Sequence, residues 1–282
     1  MKSSQPPGAT VFPAPDRTIL PGLLASIRRA EENPFIGSSW RVREVTAEKD
    51  ASWTVDLCAT MTLNTQPRQD FTTFMQRLKD LLLSQPSSPS LFNQYRDCDP
   101  AVDLPDAAAI RMENLVSYLA EASRTAQVLI VGEAAGPWGC RFSGVPFAGE
   151  RQLLDPLFPY AGRRSSKTGP PNVSRTALTF WEVMPPYHKQ ILVWDAFPLH
   201  PHQSGNPLSV RNPTKTEVAH YSTALRALKN YVNPRRIVAV GRMAHKELAS
   251  IGEASTYVRH PSRGGSIRFV AEMRRIFSNP TV

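Results

Sequence analysis

Four short runs of apolar residues mark the second half of the chain. They are VLIVG at 128–132, ILVWDAF at 191–197, RIVAVG at 236–241 and TYVRH at 256–260. The apolar residues are unbroken rather than alternating with polar ones, which is typical of strands covered by helices on both faces. The runs therefore predict a central four-stranded parallel sheet in a three-layer α/β/α sandwich.

Apolar residues recur at helical spacing around these runs. The clearest helix is predicted to begin near Thr214, because Thr214 and Glu217 have the spacing of a capping box and an amphipathic segment follows. Further helices are predicted in FTTFMQRLKDLLL, in AIRMENLVSYLAEA, from Met243 to Ser250 and in GSIRFVAEMRRIF. The alternation of strands and helices is typical of an α/β domain.

The amino-terminal quarter has a different pattern. Residues 1–22 are interrupted by proline and glycine, and we expect them to be a disordered lead. Residues 23–70 contain two β-type alternations, WRVREVTAEK and SWTVDLCATMTL, which predict an extension or a small accessory lobe with a hairpin. Residues 71–282 are then expected to form the main domain.

Composition narrows the class of partner. The chain has a formal net charge of +9 over 282 residues. Clustered Lys and Arg favour a polyanionic partner, since they release counterions when they meet phosphates, although a merely basic soluble protein has the same composition.

The cysteines and the hydropathy of the chain indicate its expected cellular compartment. The three cysteines, Cys58, Cys98 and Cys140, lack the close pairs of a metal or iron–sulfur site, so neither a disulfide framework nor a metal or other cofactor is expected. No run reaches the roughly 18 apolar residues of a membrane span, and the polar, proline-rich start does not resemble a signal peptide. We expect a monomer in a reducing cytoplasm, without membrane contact.

Two loops that follow predicted strands carry the candidate chemistry. The GEAAG loop is GEAAGPWGCRFSGVPFAGE at 132–150, and the histidine loop is RHPSRGG at 259–265. In a parallel sheet the loops after the strands meet at one edge, where they present amides and polar side chains. A glycine-rich turn alone is weak evidence, and this one does not fit GxGxxG. The more specific feature is the order of four motifs along the chain: the glycine-rich turn, Phe147, WDAFPLHPH at 194–202 and the histidine loop.

In these motifs the chain resembles the uracil-DNA glycosylase superfamily, over roughly residues 90–280. The resemblance implies that superfamily's fold, DNA as the partner, and hydrolysis of the N-glycosidic bond of a nucleotide flipped out of the duplex. No lysine lies in a motif that would demand a lyase step. The expected product is therefore an abasic site without strand cleavage.

The resemblance also implies roles for individual residues. Glu133 occupies the acidic second position of GEAPG-type relatives and would orient or activate the attacking water, and His260 would donate a hydrogen bond to O2 of the departing base. Phe147 would stack on the flipped base. The alternatives are a carboxylate that bonds loop amides, a structural histidine and a core phenylalanine. Ala135 replaces the proline of GEAPG-type relatives, which leaves water activation open.

The remaining candidate residues line the base or contact DNA. Gly132, Ala134 and Gly136 come from the GEAAG loop, and Ala134 stands where the GQDPY-type branch has an aspartate. In some relatives an apolar residue of this loop, such as leucine, fills the gap that the flipped base leaves in the duplex. The histidine loop has no such residue, so Arg263 is expected either to fill the gap or to contact a phosphate. The other expected DNA contacts are a phosphate clamp at Ser262, the turn residue Pro261, the adjacent Gly264, and Arg141 as a second phosphate contact.

Two positions depart from the uracil pattern. Relatives that select uracil have an asparagine where this chain has Asp195, and an ionised aspartate cannot donate to O4 of uracil. A protonated Asp195 can accept from the N4 amine of cytosine and donate to N3, if its site raises its pKa. Gly136 replaces the tyrosine that blocks the C5 substituent in the GQDPY-type branch. Alternatively, Asp195 caps a loop by bonding nearby amides.

These residues predict a glycosylase that removes a 5-modified cytosine, such as the glucosylated hydroxymethylcytosine of phage DNA, with a role in defence against phage. Two alternatives remain open from the sequence. One is a uracil-DNA glycosylase of base excision repair, and the other is a non-catalytic reader of modified or damaged DNA, which the altered GEAAG sequence favours.

Overall fold

The chain divides into two units, Met1–Arg68 and Gln69–Val282. The computed structural model describes residues 70–167 and 169–278, together with the backbone of residues 9–12, 39–47 and 53–60.

The amino-terminal unit contains an antiparallel sheet of β1 (Ala9–Phe12), β2 (Ser39–Ala47) and β3 (Trp53–Thr60), in the order β1-β3-β2. The two alternating segments of the sequence form β2 and β3. β1 lies in the stretch expected to be disordered, and it forms because a short β-prone segment pairs with the open edge of β3. The other residues of that stretch, 1–8 and 13–22, lie outside the described residues.

Strands of the carboxyl-terminal unit are β4 (Leu91–Phe92), β5 (Val128–Ala134), β6 (Ile191–Phe197), β7 (His200–Pro201), β8 (Arg236–Val240) and β9 (Thr256–Val258). Four of them form a parallel sheet in the order β6-β5-β8-β9, while β4 and β7 form a separate antiparallel pair. β5 continues two residues past the expected run, because Ala134 still pairs with Phe197 of β6. Glu133 therefore lies on the strand.

The helices of this unit are α1 (Phe71–Leu83), α2 (Ala107–Ala122), α3 (Cys140–Ser143), α4 (Glu150–Leu153), α5 (Arg175–Trp181), α6 (Lys215–Val232), α7 (Arg242–Ser250) and α8 (Ser266–Ser278), with a 3₁₀ helix at Pro185–Gln190. The start of α6 has the expected capping box, in which Thr214 Oγ1 accepts from the Glu217 amide at 3.2 Å and Glu217 Oε2 accepts from the Thr214 amide at 2.7 Å.

Successive residues of each central strand face opposite helical layers. Leu129 and Val131 of β5 belong to a core that includes side chains of α1, α2, α6 and α7. Ile130, between them, belongs to a second core with side chains of α5 and α8. Burial on both faces explains why the strand sequences are apolar throughout. The expected α/β/α architecture with a four-stranded parallel sheet is confirmed.

Candidate active site

The candidate residues lie in the last residues of β5 and β6 and in the loops that follow β5 and β9, at one edge of the parallel sheet. The register of β5 and β6 places Gly132 directly beside Asp195. β9 ends at Val258, so Arg259 and His260 begin the loop that follows. This arrangement is the usual ligand position in an open α/β sheet.

Gly132, Phe147 and Asp195 form one wall of the site. A β-carbon built on Gly132 would overlap both the Phe147 ring and Oδ1 of Asp195. The glycine therefore lets an aromatic ring and a carboxyl group lie against the same piece of backbone.

The Phe147 ring is held by its own backbone and by two aromatic neighbours. The residue has a φ of 54°, in the left-handed region that non-glycine residues seldom adopt. Trp181 Nε1 donates a hydrogen bond to Phe147 O at 2.9 Å, and the Phe180 ring lies 4.9 Å from the Phe147 ring. Such a conformation costs of order 1–3 kcal/mol and needs support from its surroundings.

Asp195 is buried, and no cation of the described residues lies beside it. Its exposed fraction is 3%, and within residues 70–167 and 169–278 no group donates it a hydrogen bond or pairs with it. Burial, followed by the negative charge of Glu133, raises the pKa of Asp195 from 3.8 to about 7. The alternative that Asp195 caps a loop is wrong, because no described backbone amide reaches its carboxyl group.

Glu133 is held at the start of α7. Its Oε1 accepts a hydrogen bond from the Met243 amide at 3.0 Å. Gly241, with a φ of 101°, lies against this carboxylate, and a β-carbon there would overlap it. The amino terminus of a helix favours negative charge. Oε2 accepts no hydrogen bond from the described residues, so one oxygen is anchored and the other is available to a water molecule.

His260 presents a defined tautomer. The Ser262 amide donates to Nδ1 at 3.1 Å, and Ser262 Oγ lies 2.8 Å from the same nitrogen. Because a backbone N–H can only donate, Nδ1 is unprotonated and the neutral ring carries its hydrogen on Nε2. Burial lowers the pKa of His260, as do the cations Arg259 and Arg263, against an opposing effect of Glu133. Nε2 is thus a neutral hydrogen-bond donor.

Three consecutive residues of the histidine loop are exposed at the surface. Ser262, Arg263 and Gly264 are exposed, whereas Pro261 is buried beneath them. Arg263 and Gly264 both have left-handed backbone, with φ of 51° and 76°. The loop therefore offers an exposed hydroxyl, a cation and backbone amides beside His260.

Arg141 does not contribute to this surface, and the expectation that it contacts a phosphate is wrong. Its side chain is completely buried, with Nη1 2.6 Å from Asp103 Oδ1. The guanidinium also lies 4.2 Å from the Phe92 ring centroid and 4.1 Å from that of Phe142. A second buried cation, Arg111, shares Asp103 at 2.5 Å. The two arginines and Asp103 therefore form a buried ion cluster that holds the GEAAG loop, which contains Arg141, against the domain interior.

Space is open at the turn of the GEAAG loop. A β-carbon on Gly136 would meet no atom of the described residues within 4 Å, apart from its own chain neighbours. Ala134 is half-buried at the end of β5, and the carbonyl of Ala135 is 2.8 Å from Nδ1 of the buried His200. His200 Nε2 lies 2.9 Å from Pro207 O, and burial lowers the His200 pKa to about 4. His200 therefore has a structural role in tying two loops together.

Three residues of this site were not singled out from the sequence. Gly241 and Met243 receive the Glu133 carboxylate, and Arg259 bonds the histidine loop from behind. The glycine that ends the apolar RIVAVG run, just before a predicted helix, is a signal that could have indicated the first two. Arg259 has no comparable signal.

The described parts of the chain, 70–167 and 169–278, contain no group of three His, Cys, Asp or Glu side chains placed to hold a metal ion. In the same parts, no helix combines the length and the apolar character needed to cross a bilayer.

Comparison with known proteins places this site in a family. A family model described as the uracil DNA glycosylase superfamily matches residues 120–277. Among solved structures, the crystal structure of wild-type SMUG2 from Pedobacter heparinus is similar, with 12% identity and a TM-score of 0.48 over 73% of this chain and 97% of that one. No curated protein sequence matches significantly. Because the family match covers more than half of the 282 residues, the chain belongs to the uracil-DNA glycosylase superfamily.

Proposed function

We propose that this protein is a monofunctional DNA glycosylase that flips a 5-substituted cytosine out of DNA and hydrolyses its N-glycosidic bond. Membership of the superfamily supports a DNA glycosylase. The choice of base depends on one observation: Asp195 is buried without a partner among the described residues, and its pKa is raised to about 7.

A protonated carboxyl group matches the pairing edge of cytosine. Its carbonyl oxygen accepts from the N4 amine while its hydroxyl donates to N3. Uracil presents the opposite pattern, with a donor at N3 and an acceptor at O4, so a carboxylate leaves two acceptors facing each other. A buried mismatch of this kind costs about 1–3 kcal/mol. Burial without a cation supports the protonated form of Asp195 near neutral pH.

The proposed reaction breaks the bond between C1′ of the sugar and N1 of the base, and the bonding electrons leave with the base. Asp195 gives its proton to N3, which makes cytosine a better leaving group. Nε2 of His260 donates a hydrogen bond to O2 as negative charge develops. Water adds to C1′ of the oxocarbenium-like sugar, and its proton passes to Oε2 of Glu133. The products are a free base and an abasic site.

The open space at Gly136 supports a substituent at C5. The resemblance aligns this position with the tyrosine that blocks C5 in the GQDPY-type branch. Here a side chain is absent, and no described atom beyond the chain neighbours lies within 4 Å of a β-carbon built on the glycine. Excision of normal cytosine would damage the host genome. A requirement for a bulky C5 group therefore favours foreign DNA, such as phage DNA with glucosylated hydroxymethylcytosine, and a role in antiviral defence.

A second candidate, a non-catalytic reader of modified DNA, is favoured by the contact between Glu133 and the Met243 amide. That contact would give the carboxylate a purely structural role. The second oxygen, which accepts no hydrogen bond from the described residues, favours catalysis.

The test is single-turnover base release from matched duplexes that carry uracil, cytosine, hydroxymethylcytosine or glucosylated hydroxymethylcytosine. We expect release from the modified cytosines, with strand breaks only after alkaline treatment. Glu133→Gln is the control for contaminating activity. Binding without release by the unmutated protein would favour the reader, and release of uracil alone would contradict the proposed substrate.

A further inference from the structure

The guanidinium of Arg259 gathers the carbonyl groups of the histidine loop. Nη1 donates to His260 O at 3.0 Å, and Nη2 donates to Ser262 O and Arg263 O at 3.4 Å each. One side chain thus bonds three of the loop's carbonyls. The planar fork of arginine suits this task, since its several N–H groups are fixed relative to one another.

Arg259 is itself held by helix α8. Its backbone amide donates to Glu272 Oε2 at 2.7 Å, and Glu272 Oε1 accepts from Arg268 at 2.7 Å. The other end of the loop is closed by the Ser266 hydroxyl, which donates to Pro261 O at 3.0 Å. The histidine loop is therefore tied to α8 at both ends, through the Arg259 amide and through Ser266.

The direction of the carbonyls determines the direction of the amides. In a trans peptide the C=O and N–H of one unit point in opposite directions. Because Ser262 O and Arg263 O point to Arg259, the amides of Arg263 and Gly264 point away from it. Neither amide donates to a carbonyl or side chain of the described residues. Two adjacent outward N–H groups suit an anionic oxygen.

Charge adds a second effect on His260. The charged and polar groups that face this ring are Glu133 from β5 and Arg259, Ser262 and Arg263 from the loop. Burial is the main cause of the lowered His260 pKa, and the positive charge of Arg259 contributes in the same direction. Loss of that charge would make His260 easier to protonate, and a protonated ring would lose the Nδ1 acceptor that Ser262 uses.

We propose that Arg259 is a positioning residue of the active site, which holds the histidine loop so that His260 and two backbone amides act together on one flipped nucleotide. This inference rests on the proposed function. Arg259 touches neither the base nor the sugar in this role and acts through the loop that it organises.

The experiment compares Arg259→Gln and Arg259→Lys with the matched control Arg274→Gln, which removes an exposed cation of α8 whose partner, Glu182, lies 3.9 Å away. Two readouts are measured on the full-length protein. The first is the pH profile of single-turnover base release. The second is the NMR titration and tautomer of His260 without DNA, assigned by its loss in His260→Gln.

We expect Arg259→Lys to lower the rate about 100-fold, since a misplacement near 1 Å has that effect, with the His260 titration close to that of the unmutated protein. Arg259→Gln should lower the rate similarly and move the His260 titration and the acid limb of the profile to higher pH. Arg274→Gln should do neither.

Unchanged rates in both Arg259 variants would overturn the proposal. A rate loss explained entirely by a smaller folded fraction, with His260 unchanged in the protein that remains folded, would also overturn it. The NMR readout needs no substrate. If the unmutated protein releases no base but Arg259→Gln still changes the tautomer of His260, the proposed function fails while the organising role of Arg259 survives.

Discussion

Replacement of Asp195 by asparagine should make the protein more stable, and increasingly so as the pH rises. The pKa of Asp195 is about 7 in the folded protein against 3.8 for an ordinary aspartate. Between these values the folded state keeps a proton that the unfolded state has lost. Stability therefore falls with rising pH in this window, by about 1.4 kcal/mol per pH unit. Below the window both states are protonated, and above it both are ionised.

Between pH 5 and pH 8 this cost adds up to roughly 2.5 kcal/mol from the same linkage relation. Asparagine does not titrate, so the free energy of unfolding of Asp195→Asn should lack this decrease. Urea unfolding followed by tryptophan fluorescence at several pH values measures the difference between the two proteins, in which all other titrating groups cancel. Asp80→Asn is the matched control, because Asp80 is exposed on α1.

Parallel stability curves for the unmutated protein and Asp195→Asn would refute the reasoning. They would mean that Asp195 ionises in the folded state as it does in the unfolded chain. A difference that grows with pH for Asp80→Asn as well would show that the effect does not belong to the buried site.

Three further predictions concern other parts of the site. Gly136→Tyr should leave the melting temperature nearly unchanged but slow base release at least about tenfold, because the ring fills the open space near C5. The loss should be larger for a glucosylated than for a hydroxymethyl substituent, and equal losses for both substrates would argue against a C5 pocket at this position. Glu133→Gln should lower the single-turnover rate by a factor of about 10²–10⁴. The alkaline side of its pH–rate profile should move to lower pH, since Glu133 helps to raise the pKa of Asp195. An alkaline side that stays in place would argue against this coupling. Arg141→Met should lower the free energy of unfolding in urea by about 3–5 kcal/mol because it breaks a buried ion pair, while the salt dependence of DNA binding stays the same. A shallower salt dependence in this variant would indicate that Arg141 does contact a phosphate.

The sheet could be predicted because its strands are buried on both faces. A run such as VLIVG has no polar position, so its place at the centre of a layered domain follows from local sequence. The side-by-side position of Gly132 and Asp195 follows from the same runs, since each residue comes near the end of its strand. Thr214 and Glu217 fix a helix start within four residues, which is also local information.

Contacts between distant parts of the chain, and the exact path of a loop, cannot be inferred from local sequence. The burial of Arg141, which was expected to contact a phosphate, depends on Asp103, 38 residues earlier. Likewise, the anchoring of Glu133 depends on the Met243 amide, 110 residues later. Arg259 acts on its own loop, yet nothing in its sequence neighbourhood reveals that three carbonyls turn back towards it. Loop conformation, rather than residue type, creates that role.

The selection of cytosine over uracil by Asp195 can be measured directly. Single-turnover base release is compared for the unmutated protein and Asp195→Asn, each with matched duplexes containing uracil and glucosylated hydroxymethylcytosine. We expect the unmutated protein to release the modified cytosine, and asparagine to abolish this release or redirect activity toward uracil. Efficient uracil release by the unmutated protein, with modified cytosine untouched, would show that Asp195 does not select cytosine.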